Sequence, residues 1–293
     1  MNPSERRFVD VDGIRTCYYE KGDGPPLVLF HGGNSGSPDL ADCALDWGTN
    51  FDSLARRFRV FAIDKIGQGW TDNPRRDEDY AMAAVVRHAC ATLDALGIKA
   101  AHLAGHSRGA YLTCRMTLER PDLAKSCIII DSNTCSPGIS INEIVFAGRP
   151  EPALSRESQR WVVERYSYSP SHIDDAWLDE MVAIGASEKF QESVRRMETD
   201  GLRTRVFLPG LARDKMEMFA WLRDRGIKRP TLLIWGYNDP TATTEQGRAL
   251  FDLIAARERR AQMHVFNQSG HFTYREHPAA FDACLSAFID SCN

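Results

Sequence analysis

Residues 6 to 22 alternate apolar and polar side chains on either side of Asp12-Gly13, a turn dipeptide, and so predict a hairpin. Short apolar runs then recur at 27 to 30, 59 to 63, 101 to 105, 126 to 130, 231 to 235 and 262 to 266, each a predicted strand. Between several of them the apolar period becomes that of a helix, as in Ala81 to Leu96 and Arg108 to Glu119. Strand and helix in alternation read as a mostly parallel, doubly wound α/β sheet. The alternation stops between Asp131 and Thr231, where about a hundred residues pass without a β-run, far more than an ordinary loop spans. Trp161-Val162-Val163, Trp177-Leu178 and Met216 to Leu222 have helical spacing instead. The pattern predicts a helical cap at 135 to 222, inserted into a core domain made of 1 to 134 and 223 to 293.

Gly105-His106-Ser107-Arg108-Gly109 follows the apolar run Ala101 to Ala104 and precedes a predicted helix. G-x-S-x-G in that setting is a nucleophile elbow: a strand ends in a sharp turn whose serine needs strained backbone, so that glycines must flank it. A serine hydroxyl is a poor nucleophile near neutral pH and needs an imidazole to take its proton and a carboxylate to orient that imidazole. The chain supplies both in order. Asp239 lies just after the run Thr231 to Ile234, and His271 follows Met263 to Phe266 in Ser269-Gly270-His271-Phe272. Asp131, closing the strand that ends at Ile130, competes for the role of acid, but an acid lying between serine and histidine in sequence and beyond the later strand favours Asp239. Asp64, at the end of another strand, reads as structural.

Attack on a carbonyl creates an oxyanion that fixed N–H groups must hold. The backbone amides of Arg108, at the positive end of the following helix, and of Gly33, in the glycine turn His31-Gly32-Gly33-Asn34, are the candidate donors. The Arg108 side chain has two readings, a salt bridge to Asp131 or another wall residue, or a grip on a substrate carboxylate. Trp47, Trp161, Tyr166, Trp177 and Phe272 are the candidate aromatic walls of an apolar pocket, each with core packing as its alternative.

Composition narrows the partners. A net charge of -4 with 26% charged residues leaves no basic field for nucleic acid or an anionic membrane surface, and no apolar run approaches membrane-spanning length. The eight cysteines contain no C-x-x-C pair, so neither metal spacing nor a disulfide framework is read from them. The N-terminus lacks the apolar stretch of a signal peptide, and a cytoplasmic protein is expected. No metal motif, dinucleotide fingerprint or phosphate-cradling loop is present, and no cofactor is expected. The expected partner is a small-molecule substrate, with a homodimer as the assembly allowed.

Residues 24 to 131 and 229 to 290 resemble the α/β-hydrolase superfamily, and within it the chain is most similar to the meta-cleavage product hydrolases. The matching stretches are His31-Gly32-Gly33, Leu93-Asp94-Ala95-Leu96-Gly97-Ile98, Trp235-Gly236 with Asp239, and Ser269-Gly270-His271 with Glu276-His277-Pro278. The chain departs from that family in having His106 and Arg108 around the serine, where asparagine and methionine are common, and Phe272 where tryptophan is common. No arginine lies in the cap stretch Ser171 to Phe190, which leaves Arg108 or Arg165 to carry the expected cationic contact. The resemblance implies a cofactor-independent serine hydrolase that cuts a C–C bond in a ring-fission dienone. The same groups would serve a carboxylesterase or lactonase, and a hydrolase-fold ligand-binding receptor is the reading from another class.

Overall fold

The computed structural model describes residues 1–292. Its centre is one sheet of eight strands in the order β1-β2-β4-β3-β5-β6-β7-β8. The strands are β1 Arg7–Val11, β2 Ile14–Lys21, β3 Pro26–Phe30, β4 Arg59–Ile63, β5 Ala101–His106, β6 Ala124–Ile130, β7 Thr231–Gly236 and β8 Ala261–Phe266. β1 and β2 form the expected hairpin, and β2 runs antiparallel to β4. Every other neighbouring pair is parallel.

The strands hold together because their side chains split cleanly between two cores. Val28, Phe30, Leu103, Ile129 and Leu233 face one side, packed on the helices Met82–Ala95, Arg108–Glu119 and Thr244–Ala255. Leu27, Leu29, Ala104, Ile128 and Ile234 face the other, against Gly48–Leu54 and Pro278–Ser291. The period of two in β-strands produces this division, and burial of each Leu, Ile or Phe contributes about 2 kcal/mol.

Among the described residues, no strand lies between β6 and β7. The interval holds the helices Asn142–Val145, Arg156–Tyr166, Asp175–Gly185, Glu188–Val194 and Leu208–Arg225. The last runs unbroken past residue 222, where the sequence placed the end of the cap, because Leu222 is still buried against the core. Its stop is Gly226 at φ 68°, a C-terminal position that suits glycine.

All parallel strands end at the same edge of the sheet. Ser107 follows β5, Asp131 follows β6, Asp239 and His271 lie three and five residues beyond β7 and β8, and Gly32 and Lys65 lie just beyond β3 and β4. That edge, where loops leave the carboxyl ends of the strands, is where sites form in sheets of this kind.

Candidate active site

Ser107 sits between β5 and the helix Arg108–Glu119 with φ 54° and ψ -120°, a conformation costly for any residue with a Cβ. The flanking glycines make that turn feasible. A side chain on Gly105 would run into the Gly109 carbonyl, and one on Gly109 would run into the Phe30 carbonyl. The Ser107 amide donates to the Ile130 carbonyl at 2.9 Å, and the Ser132 hydroxyl donates to the Ser107 carbonyl at 2.6 Å, so neighbouring strand ends brace the elbow.

His271 Nδ1 lies 2.6 Å from Asp239 Oδ2, and both residues are buried. A carboxylate only accepts, so Nδ1 carries the proton and Nε2 is left with a free lone pair. The other oxygen, Asp239 Oδ1, accepts from the Thr241 amide at 2.8 Å, the Thr241 hydroxyl at 3.0 Å and the Ala242 amide at 2.9 Å. Three donors thus fix which oxygen faces the imidazole. Asp131 does not contact His271. Its Oδ1 accepts from the Gly236 amide at 2.6 Å, the Thr273 amide and hydroxyl face its carboxyl, and burial beside Asp239 pushes that carboxyl well above the usual range. Nor does Asp131 hold Arg108, as one reading of the sequence had it.

The His271 backbone is clamped at both ends. Its amide donates to the Tyr166 carbonyl at 2.8 Å, and its carbonyl accepts from His106 Nε2 at 2.8 Å. Because that acceptor is a carbonyl, His106 carries its proton on Nε2, and Nδ1 accepts from the Tyr274 hydroxyl at 3.4 Å. Burial holds the His106 ring neutral. The Tyr166 ring stacks on the His271 imidazole, centroids 4.5 Å apart and planes 17° from parallel.

Ser107 and His271 line the same cavity of about 620 Å³, with Gly33, Arg108, Tyr166 and Phe272. Among the described residues no hydrogen bond joins the Ser107 hydroxyl to the imidazole; in unliganded sites such bonds are often long and tighten around substrate. Gly33 has φ 67°, and the Asp42 carboxyl fills the space where a side chain on Gly33 would project. A Cβ on the preceding Gly32 would stand 3.3 Å from Ser107 Cβ, so the glycine turn abuts the elbow.

Arg108 lines the cavity without any ion pair or side-chain hydrogen bond among the described residues; its Nε has no partner, and its guanidinium lies 5.5 Å over the Phe207 ring. Burial disfavours its charged form.

Three aromatic residues expected in the pocket are elsewhere. Trp47 is in the core, stacked on Tyr274 at 4.2 Å. Trp177 stands behind Phe272, with rings 5.4 Å apart edge to face, and its indole N–H donates to Asp46 at 2.9 Å. Trp161 packs half-buried against the core beneath the Arg165 guanidinium, 4.9 Å from its ring, which also takes Arg165 away from the cavity. In each case packing or an indole partner decided the position. Sequence reasoning missed Asp42 and Lys65, both buried charged residues at the glycine turn. Burial raises the Asp42 carboxyl to about 6 against the opposing pull of Lys65.

Among the described residues, no group of three or more His, Cys, Asp or Glu side chains is arranged to hold a metal, and no helix is long and apolar enough to cross a membrane. All eight cysteines are unpaired.

The chain is 28% identical to a 2-hydroxymuconate semialdehyde hydrolase of Pseudomonas sp. (strain CF600), over 98% of this chain and 95% of the relative. It is 26% identical to a 2-hydroxy-6-oxo-2,4-heptadienoate hydrolase of Pseudomonas putida, over 99% and 98%. Its fold superposes on a meta-cleavage product hydrolase from Pseudomonas fluorescens IP01 with a TM-score of 0.81 at 24% identity, covering 100% of both chains. A family model described as the alpha/beta hydrolase fold matches residues 25–278, a span that runs from the glycine turn through the elbow and the acid to the histidine. The sheet order, the elbow and that match agree: this chain belongs to the alpha/beta hydrolase fold family.

Proposed function

We propose that this chain is a cofactor-independent serine hydrolase that cleaves a C–C bond in a ring-fission dienone or related diketone, with Ser107 as nucleophile, His271 as base and Asp239 as the acid that orients it. The observation that carries the chemistry is the 2.6 Å contact from His271 Nδ1 to Asp239, which leaves Nε2 free in the cavity that Ser107 also lines. The substrate class rests on full-length likeness to relatives named for hydrolysis of such compounds.

In this reading, the substrate is first ketonised in the site. Nε2 then takes the Ser107 proton as Oγ bonds to the remote carbonyl carbon, and the carbonyl electron pair moves onto oxygen. The amides of Gly33 and Arg108 hold that oxyanion, an effect commonly worth about 3 kcal/mol per donor. Collapse breaks the C–C bond, the departing carbon fragment takes the proton from His271 and leaves as a dienol, and water hydrolyses the acyl group to a carboxylic acid. Tyr166 and Phe272 form the wall at the histidine. The unpaired Arg108 guanidinium suits a substrate carboxylate. Residues 135 to 222 serve as the helical cap of a core formed by 1 to 134 and 223 to 293. The free cysteines fit a reducing compartment such as the cytoplasm.

Purified enzyme assayed on ring-fission dienones and on aryl esters tests the reading. Dienone turnover well above ester turnover is expected. Ester or lactone turnover far above dienone turnover replaces C–C cleavage with ester hydrolysis, and ligand binding with no turnover of either replaces the enzyme with a receptor.

A further inference from the structure

Lys65 is buried just beyond β4 and forms no ion pair among the described residues, an expensive place for an ammonium group unless its protons are hydrogen-bonded. Its Nζ donates to the Gly32 carbonyl at 2.7 Å and to the Gly33 carbonyl at 2.8 Å. Two further donors meet the Gly32 oxygen. Gln68 Nε2 reaches it at 3.2 Å, and His31 Nδ1 at 3.0 Å. His31 Nε2 accepts from the Lys65 amide at 3.3 Å, so its proton resides on Nδ1 and that contact is a donation.

The Gly32 carbonyl and the Gly33 N–H belong to one peptide unit. In a planar trans peptide they point in opposite directions, so gripping the carbonyl fixes where the N–H aims. We propose that Lys65 is a positioning residue for the oxyanion-binding amide: its ammonium turns and polarises the Gly32–Gly33 peptide so that the Gly33 N–H is presented to the oxygen developing beside Ser107. A cation on the carbonyl draws electron density from the nitrogen and strengthens the N–H as a donor, an effect that grows in a dry interior. Gly32 and Gly33 have no side chains with which to hold their shared peptide in place. Lys65, Gln68 and His31 supply that hold from behind.

Lys65 titrates within reach of assay. Burial lowers it to about 7, partly offset by Asp42 and Asp46, while Arg108 adds to the lowering. The groups facing it are these three with His31 and His106, both of which burial keeps neutral. Because the ammonium is the working form, the rate should fall as pH rises through about 7.

The inference rests on reading Ser107 as nucleophile and Gly33 as oxyanion donor, so the experiment avoids the dienone question. The probes are a fluorophosphonate that labels Ser107 through an oxyanion-like transition state, and an aryl ester. Lys65→Met should slow labelling and lower kcat by roughly 10- to 100-fold with KM changed less than about twofold, since an intact oxyanion donor is worth about 100- to 1,000-fold and Lys65 acts only through one. Lys65→Gln, which keeps a donor but not the charge, should fall between. The alkaline limb of the wild-type profile should vanish in both. A folded Lys65→Met enzyme with kcat within twofold of wild type, a loss confined to KM, or an alkaline limb that survives the substitution overturns the proposal. Should the methionine variant fail to fold, the glutamine variant decides. A Ser107 that never labels in the wild type overturns the nucleophile assignment itself, and the role of Lys65 with it.

Discussion

Replacing Asp239 with asparagine tests the proposed acid more sharply than deleting it. Asp239 Oδ1 accepts three hydrogen bonds, two of them from the backbone amides of Thr241 and Ala242. An asparagine at 239 must put its carbonyl oxygen there, because its NH2 would confront those two donors and leave buried groups unsatisfied at about 1–3 kcal/mol each. The NH2 then faces His271 Nδ1, which must become an acceptor. The imidazole proton moves to Nε2 and points into the cavity toward Ser107, and the base is lost while every atom keeps its place. A forced wrong tautomer costs a serine–histidine–acid site roughly 10,000-fold in kcat, about 5.5 kcal/mol of transition-state stabilisation. The assay is kcat on an aryl ester and the rate of Ser107 phosphonylation, with circular dichroism to establish the fold. An Asp239→Asn enzyme within tenfold of wild type refutes the assignment.

Asp131→Asn should cost less than tenfold in kcat. It should also flatten stability against pH: the folded carboxyl is raised above its unfolded value, so the folded state holds the proton more tightly and stability falls as pH rises from the unfolded pKa toward the folded one. Thermal melts from pH 4 to 8 read that slope, and one equal to wild type contradicts the cause given. Ser107→Gly should abolish turnover yet raise stability by about 1 kcal/mol, because glycine accepts φ 54° and ψ -120° without strain; an unchanged or lower melting temperature would count against a strained elbow. Gly33→Ala should lower kcat at least tenfold with a folded protein, since its methyl group meets Asp42 and displaces the proposed donor; unaltered kcat removes Gly33 from the oxyanion site. Arg108→Gln should raise KM for a carboxylate-bearing substrate roughly tenfold while leaving a neutral ester nearly unaffected, and equal effects on both deny the guanidinium a substrate contact.

The strands and the elbow were legible because each is encoded within a few neighbouring residues: a continuous apolar run, a turn dipeptide, glycines either side of a serine. The places of Asp239 and His271 at the strand ends were legible for the same reason, since both follow apolar runs that became β7 and β8. The walls of the cavity were not. Trp47, Trp161 and Trp177 have the composition of a pocket, but whether an aromatic ring meets solvent or core depends on neighbours far away in sequence, such as Tyr274 for Trp47 and Asp46 for Trp177. Lys65 left one usable sign. A lysine directly after Asp64, at the end of a parallel strand, stands at the edge where sites form, although nothing in its own stretch of chain reveals that it turns inward to the Gly32 carbonyl. The helix Leu208–Arg225 runs across the expected cap boundary at 222, because the apolar spacing around Leu222 belongs equally to a cap and to the core on which it rests.

The clamp on His271 has a mechanical consequence. Its amide is tied to the Tyr166 carbonyl, its ring is covered by the Tyr166 ring, and Glu276 gathers the amides of Gly270, Tyr168 and Ser169 at 2.7 to 3.0 Å. The histidine loop and the end of the helix Arg156–Tyr166 are therefore riveted into one corner post. A doorway hinged there would swing the base out of line each time it opened, so traffic in and out of the chamber must pass some other jamb and leave this one standing.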